Sequence, residues 1–310
     1  MPNTAKRTKK LLYILSPSYS GSTLLTFLLA EHPEIATVGE LKASPKSVGD
    51  ISTYRCSCGE LLLECDFWRE LEAQMKEKCP EFSLNNFGTH LTSGGSRLFR
   101  RLVRSSIFGQ PYNLIGYMML RLIPHYNKTF QKNLSTNKAF IEKVCEIQNK
   151  PIFLDGSKDP ERLYHFKREL ELELKVINLH RDGRGFVNSY KKHYNTTIEN
   201  ASKACDRINT ECARVINMFD KDEILDLKYE DLCKDKGGTL KRIYEFIDIT
   251  PSYLSSVGHA NFHILGNDMR LSYKSGIKHD EKWKRELNST ELDTFYRIAG
   301  KWNVFWGYET

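Results

Sequence analysis

The sequence has no run approaching the ~20 uninterrupted apolar residues that a spanning helix needs, so no membrane span is expected. It also lacks a signal-peptide core, because the leading "MPNTAKRTKK" runs directly into a β-like segment. The corresponding expectations are a solvated basic tail over residues 1–10, a single body over 11–310 and a cytoplasmic location. A large excess of one sign of charge is missing. The 46 Lys plus Arg against 39 Asp plus Glu leave +7, of which four cations sit in the tail. Such an excess suits an acidic ligand and gives no sign of a nucleic-acid partner. No internal repeat is visible, and 40% hydrophobic with 27% charged residues argue against a disordered chain.

The cysteines fall short of a familiar metal pattern. Of eight, Cys56, Cys58, Cys65 and Cys79 cluster, while Cys145, Cys205, Cys212 and Cys233 are scattered. "RCSCGELLLEC" offers a C-x-C pair and one further cysteine rather than C-x₂-C…C-x₂-C. A zinc site and a disulfide remain readings of this stretch, but free or buried thiols are expected and no metal.

What is present is an alternation of strand and helix signals. "LLYILSPSYSGSTLLTFLLAEHP" reads as a buried strand, a small polar loop and an apolar helix, the outline of an anion-binding turn. Gly21 lets backbone approach a ligand; Ser20, Ser22 and Thr23 add hydroxyl donors. The Gly-x-x-x-x-Gly-Lys-[Ser/Thr] of a nucleotide triphosphatase is missing, which disfavours a magnesium-ATP site. A Ser-rich helix cap is the plainer alternative. From Pro151, "PIFLDGS", "DPERLYHFKRELEL" and "LKVINLHRD" form a βαβ unit, "EILDLKYEDL" adds a strand and "TLKRIYEFI" a helix. Residues 41–149, alternately aromatic and basic, read as a helical insertion and the place to seek an acceptor pocket. At the second strand end, Arg181 offers a planar fork for a phosphate and Ser189 a hydroxyl from the next helix, unless Arg181 only pairs with Asp182.

With two such strand ends in order, the chain resembles the sulfotransferases that use 3′-phosphoadenosine 5′-phosphosulfate. "SPSYSGSTLLTFLLAEHPEIATVGE" is similar to their 5′-phosphosulfate loop and "INLHRDGRGFVNSY" to their 3′-phosphate motif. Echoes follow in "FLDGSKDPERL", "LKYEDL" and "GNDMR…KWKREL". The resemblance, strongest to the tyrosylprotein and bacterial branch, implies a P-loop-like three-layer α/β/α fold with a central parallel sheet. It implies that Ser20, Gly21, Ser22 and Thr23 bind the 5′-phosphosulfate, and that Arg181, Ser189 and Arg270 bind the 3′-phosphate. Tyr229 would pack beneath the nucleotide. The product would be adenosine 3′,5′-bisphosphate, with no metal required.

Where the family commonly has Arg or Lys before the S-G-[ST]-T core, this chain has Tyr19. Lys158 is the first candidate for the missing cation and Lys42 the second. Glu40, in the "GE" pair that supplies the proposed base of the resembled branch, is the candidate base; capping a helix or pairing with Lys42 is its structural alternative. His32 and His180 read as packed rather than catalytic. The acceptor stays open among carbohydrate, lipid, protein tyrosine and small alcohol. A P-loop-type nucleotide kinase and a noncatalytic nucleotide-binding homologue are the alternative functions.

Overall fold

A computed structural model of the chain describes residues 8, 10–41, 50–91, 97–109, 113–252, 262–272 and 279–309. The chain runs β1 (Lys10–Leu15), α1 (Ser22–Ala30), β2 (Ile35–Thr37), α2 (Asp66–Lys78), α3 (Arg97–Phe108), α4 (Asn113–Arg121) and α5 (Pro124–Gln148). It continues with β3 (Ile152–Asp155), α6 (Pro160–Glu169), β4 (Glu173–His180), α7 (Gly183–His193), α8 (Ile198–Ile216), β5 (Ile224–Lys228) and α9 (Tyr229–Lys234). The elements α10 (Lys236–Phe246), α11 (Met269–Ser272), α12 (Trp283–Glu286) and α13 (Ser289–Phe305) complete it. The expected strand over "EILDLKYEDL" stops at Lys228, and Tyr229 opens a helix.

The five strands form one parallel sheet in the order β2-β3-β1-β4-β5. Alternation along the strands explains why both faces are covered. Leu11, Tyr13 and Leu15 of β1 join a cluster with Phe153, Val176 and the helical residues Phe140, Leu163 and Phe166. Leu12 and Ile14 join the opposite cluster with Leu154, Ile177, Leu25, Leu28, Leu240 and Ile243. A sheet apolar on both sides needs helices on both sides, which gives the three layers expected.

Lys10, counted with the tail, belongs to β1. Its ammonium lies 3.1 Å from Glu173 and 3.0 Å from Asp248, and donates to the Ile247 carbonyl at 2.8 Å, which ties down the amino end of the central strand. The insertion is fastened by α5, whose Gln148 side chain pairs with the Thr37 backbone in β2, accepting its N–H at 3.1 Å and donating to its carbonyl at 2.9 Å. Among the described residues, no helix is long and apolar enough to cross a membrane.

Candidate functional site

The loop after β1 turns through two left-handed residues, Tyr19 at φ 62° and Gly21 at φ 79°, before α1 begins. Gly21 is required twice over. A Cβ on it would sit 2.4 Å from Cδ2 of Tyr229, whose ring packs beneath the loop. Ser20 is fully buried and Ser16 nearly so, yet among the described residues neither hydroxyl has a hydrogen-bond partner. Buried polar atoms are normally satisfied. Two orphan hydroxyls on an anion-type loop, at the amino end of a helix, fit an oxyanion ligand. Ser22 is buried and Thr23 half-buried in the first turn of α1.

The β4 end lies against this loop. Arg181 donates to the Tyr19 carbonyl at 2.6 Å and to the Asp280 carbonyl at 3.0 Å, with the Asp280 carboxylate at 3.3 Å. Its guanidinium stands 5.0 Å from the Tyr229 ring centroid and rests on Gly185, where a Cβ would lie 2.9 Å from Nε. Ser189 lies one helical turn beyond Gly185, so the two share a side of α7. Asp182 does not pair with Arg181. It caps α7 by accepting the Arg184 N–H at 2.9 Å and binds the Arg184 guanidinium at 2.7 Å.

On the other flank, the ends of β2 and β3 bring Glu40 and Lys158 together. The Lys158 ammonium donates to Glu40 Oε1 at 2.5 Å, and both side chains are largely buried. The β3 loop is tied down at both ends. The Asp155 carboxylate holds Arg162 at 2.7 Å and accepts the Ser157 N–H at 2.9 Å, while Tyr13 Oη binds both backbone groups of Asp159. Lys158 is thereby held at φ 62°, a conformation non-glycine residues rarely adopt and one that recurs at functional sites. Gly156 donates to the Gly39 carbonyl at 2.9 Å, and a Cβ on it would meet Thr26 of α1 at 2.9 Å. Loop, base candidate and lysine therefore share one corner of the sheet. Lys42 lies outside the described residues.

Arg270 sits apart from its expected place, Tyr19 points away from the loop's ligand side, and both histidines are packed, as expected. Tyr19 turns its ring into α7, with centroids 6.3 Å from Phe186, 6.4 Å from Tyr190 and 5.5 Å from His193. Burial raises its phenol, so the hydroxyl stays neutral. The Arg270 side chain, 4% exposed overall at the residue, stacks 4.2 Å from the Tyr54 centroid and donates to the Arg55 and Gly266 carbonyls. It stands on the Glu40 side, through Gly266, rather than among the contacts of Arg181. His180 binds Asp226 at 3.0 Å and stacks on Trp306 at 3.7 Å, and burial lowers its pKa. His32 bonds to the Thr250 carbonyl through Nε2 and accepts the Glu34 N–H at Nδ1. Asp280, the partner of Arg181, was not legible: nothing near position 280 marks an anion-site residue.

The chain thus carries an anion loop and two flanking cations at the carboxyl edge of a doubly covered parallel sheet. That arrangement is a P-loop-like α/β fold. Residues 12–252 match the sequence pattern of the Sulfotransferase family, and the chain belongs to that family. The fold is similar to the "Sulfotransferase Domain from the Synechococcus PCC 7002 Olefin Synthase", at 18% identity and TM-score 0.53, covering 100% of this chain and 98% of that one. It is also similar to the "Sulfotransferase Domain from the Curacin Biosynthetic Pathway", at 16% identity and TM-score 0.50, covering 98% and 99%. No curated protein matches.

Proposed function

We propose that the protein transfers a sulfuryl group from 3′-phosphoadenosine 5′-phosphosulfate to a hydroxyl or amine. The observation that carries this reading is the order of chemistry along the sheet edge. Glu40 follows β2, Lys158 follows β3, the loop Ser16–Gly21 follows β1 and Arg181 follows β4. At about 4.8 Å per strand, the base lies three strands, roughly 14 Å, from the 3′-phosphate candidate, with the loop between them. A donor lying along the edge then places its 3′-phosphate at Arg181 and Ser189. Its 5′-phosphosulfate falls on Ser20, Gly21, Ser22 and Thr23, and its sulfur points toward Glu40.

In the proposed step the acceptor oxygen or nitrogen attacks sulfur, and its proton passes to Glu40. The sulfur–oxygen bond to phosphate breaks in line, leaving adenosine 3′,5′-bisphosphate. Loop amides, the Ser16 and Ser20 hydroxyls and Lys158 offset the charge gathering on the phosphate. No step needs a metal. Arg270 holds Gly266 against Glu40 in this reading and so acts at the base rather than at the 3′-phosphate. The helical insertion supplies the acceptor side. Its helix α3 reaches α6 and α8 through Arg104, which binds Glu161 and Glu211.

Calorimetric titration with adenosine 3′,5′-bisphosphate, 5′-AMP and magnesium-ATP tests the reading. Binding that requires the 3′-phosphate is expected. Losing one charged hydrogen-bonding partner should weaken it by about 2–5 kcal/mol in Arg181→Ala and less in Arg181→Lys. Preference for magnesium-ATP would favour a kinase, and donor binding without transfer to any acceptor would mark a noncatalytic homologue.

A further inference from the structure

Three cysteines that sulfuryl transfer leaves unused meet a histidine some two hundred residues away in sequence. Cys65 Sγ lies 3.3 Å from His263 Nδ1, Cys56 Sγ lies 3.6 Å from the same atom, and Cys58 Sγ lies 3.7 Å from Cys65 Sγ. All four ligand atoms fall within 4.8 Å of one another, and all three cysteines are free. Tetrahedral zinc, with bonds of about 2.3 Å to sulfur and about 2.0–2.1 Å to nitrogen, has edges of about 3.8 Å between sulfurs and about 3.5–3.6 Å from sulfur to nitrogen. The three contacts lie at or just inside those edges.

The surrounding backbone explains why the ligands converge. A hairpin closed by the Arg55–Leu61 bridge carries Cys56 and Cys58, with its turn at Gly59 (φ 99°). Cys65 is the N-cap of α2, where the helix dipole favours a thiolate. Ser57, between the first two ligands, donates to the Phe262 carbonyl at 2.6 Å and accepts the Ile264 N–H at 2.8 Å. It therefore grips the backbone on both sides of His263. The imidazole stacks on Phe67 at 4.6 Å, two residues beyond Cys65.

We propose that Cys56, Cys58, Cys65 and His263 bind one zinc ion, closed by four protein ligands and therefore structural. The ion clamps residues 262–266 to the hairpin, and that segment holds the candidate base. Leu265 donates to the Val38 carbonyl at 2.8 Å, Glu40 donates to the Leu265 carbonyl at 3.3 Å, and Gly266 lies against the Glu40 carboxylate. The zinc assignment stands on the ligand geometry alone and does not depend on the proposed reaction.

The test is metal analysis of untagged full-length protein, purified from zinc-supplemented cells and dialysed against a weak chelator. About one zinc per chain is expected. Cobalt exchanged into the site should show thiolate charge-transfer and tetrahedral ligand-field bands. Cys79→Ser, outside the cluster, should keep both metal and spectrum. Cys58→Ser, at the half-exposed ligand, should weaken zinc at least about tenfold in competition with a chromophoric chelator, and His263→Ala should change the cobalt bands. Folded wild-type protein without stoichiometric zinc, with its thiols free or joined as a disulfide, would overturn the assignment. So would full zinc retention in a Cys58→Ser/Cys65→Ser double variant.

Discussion

Replacing Gly21 by alanine probes the anion loop through a single methyl group. The new Cβ must adopt φ 79° and lies 2.4 Å and 2.7 Å from Cδ2 and Cε2 of Tyr229. The left-handed backbone costs about 1–2 kcal/mol and the overpacking about 1–3 kcal/mol, together about 2–5 kcal/mol. At roughly 2–4 °C per kcal/mol, the melting temperature should fall by roughly 4–20 °C if the loop is held in place. If the loop yields instead, stability is spared and bisphosphate binding is lost in its place. Differential scanning calorimetry and titration together read both outcomes. Removing the ring separates the two causes: in Gly21→Ala/Tyr229→Ala the steric part vanishes and the backbone part stays. The double variant should therefore be about 1–3 kcal/mol more stable than the sum of the single changes. Additive effects, or a Gly21→Ala protein that melts and binds like wild type, would refute the close packing of loop and ring.

Glu40→Gln should retain bisphosphate binding while turnover drops about 10²–10⁴-fold, the range for a general base; unchanged turnover would remove Glu40 from that role. Lys158→Met should slow transfer, and if the lysine serves as the missing loop cation, adding Tyr19→Lys should recover at least about tenfold of the loss, equivalent to ~1.4 kcal/mol of barrier. A double variant no faster than Lys158→Met would assign Lys158 to holding Glu40 alone. His165 is buried among Tyr117, Phe130 and Tyr164, and burial pushes its pKa down to about 3. The unfolded chain takes up that proton first, so the stability is full above about pH 6.5 and declines toward pH 3 at ~1.4 kcal/mol per pH unit. His165→Leu should reduce the slope of that acid limb in thermal melts, leaving what His180 and the carboxylates held low by their partners, such as Asp226 and Asp280, contribute in the same direction; an unchanged slope would clear His165.

The sheet was legible because its signals are local. Each parallel strand is a short apolar run ending in polar residues, and a one-residue alternation feeds two cores. The loop was legible for the same reason, since Ser20, Gly21, Ser22 and Thr23 are contiguous. Pairings made across the sheet were not. Asp280 reaches Arg181 from about a hundred residues away, and Lys158 reaches Glu40 across more than a hundred, because the β3 loop is anchored by Asp155 and Tyr13 from two different strands. The C-x-C spacing around Cys56 is limited in the same way. Its fourth ligand candidate lies 198 residues beyond Cys65, where no local pattern reaches it.

The same pairings bear on how a loop without its own cation would serve the proposed reaction. Each flanking cation already has a carboxylate: Arg181 has Asp280 and Lys158 has Glu40. An arriving 5′-phosphosulfate competes with Glu40 for the Lys158 ammonium, so on the proposed mechanism donor binding itself frees the base. Base and donor are then coupled through one lysine, which a basic residue at position 19 would not achieve. That position instead serves through its backbone, because the Tyr19 carbonyl holds Arg181 at 2.6 Å and links the β4 flank to the loop. Phosphate binding near Lys158 should consequently be stronger where Glu40 carries no charge. The Glu40→Gln protein is thus expected to bind adenosine 3′,5′-bisphosphate at least as tightly as wild type while transferring more slowly. Weaker binding in that variant would separate the lysine from the donor and return it to a purely structural partner of Glu40.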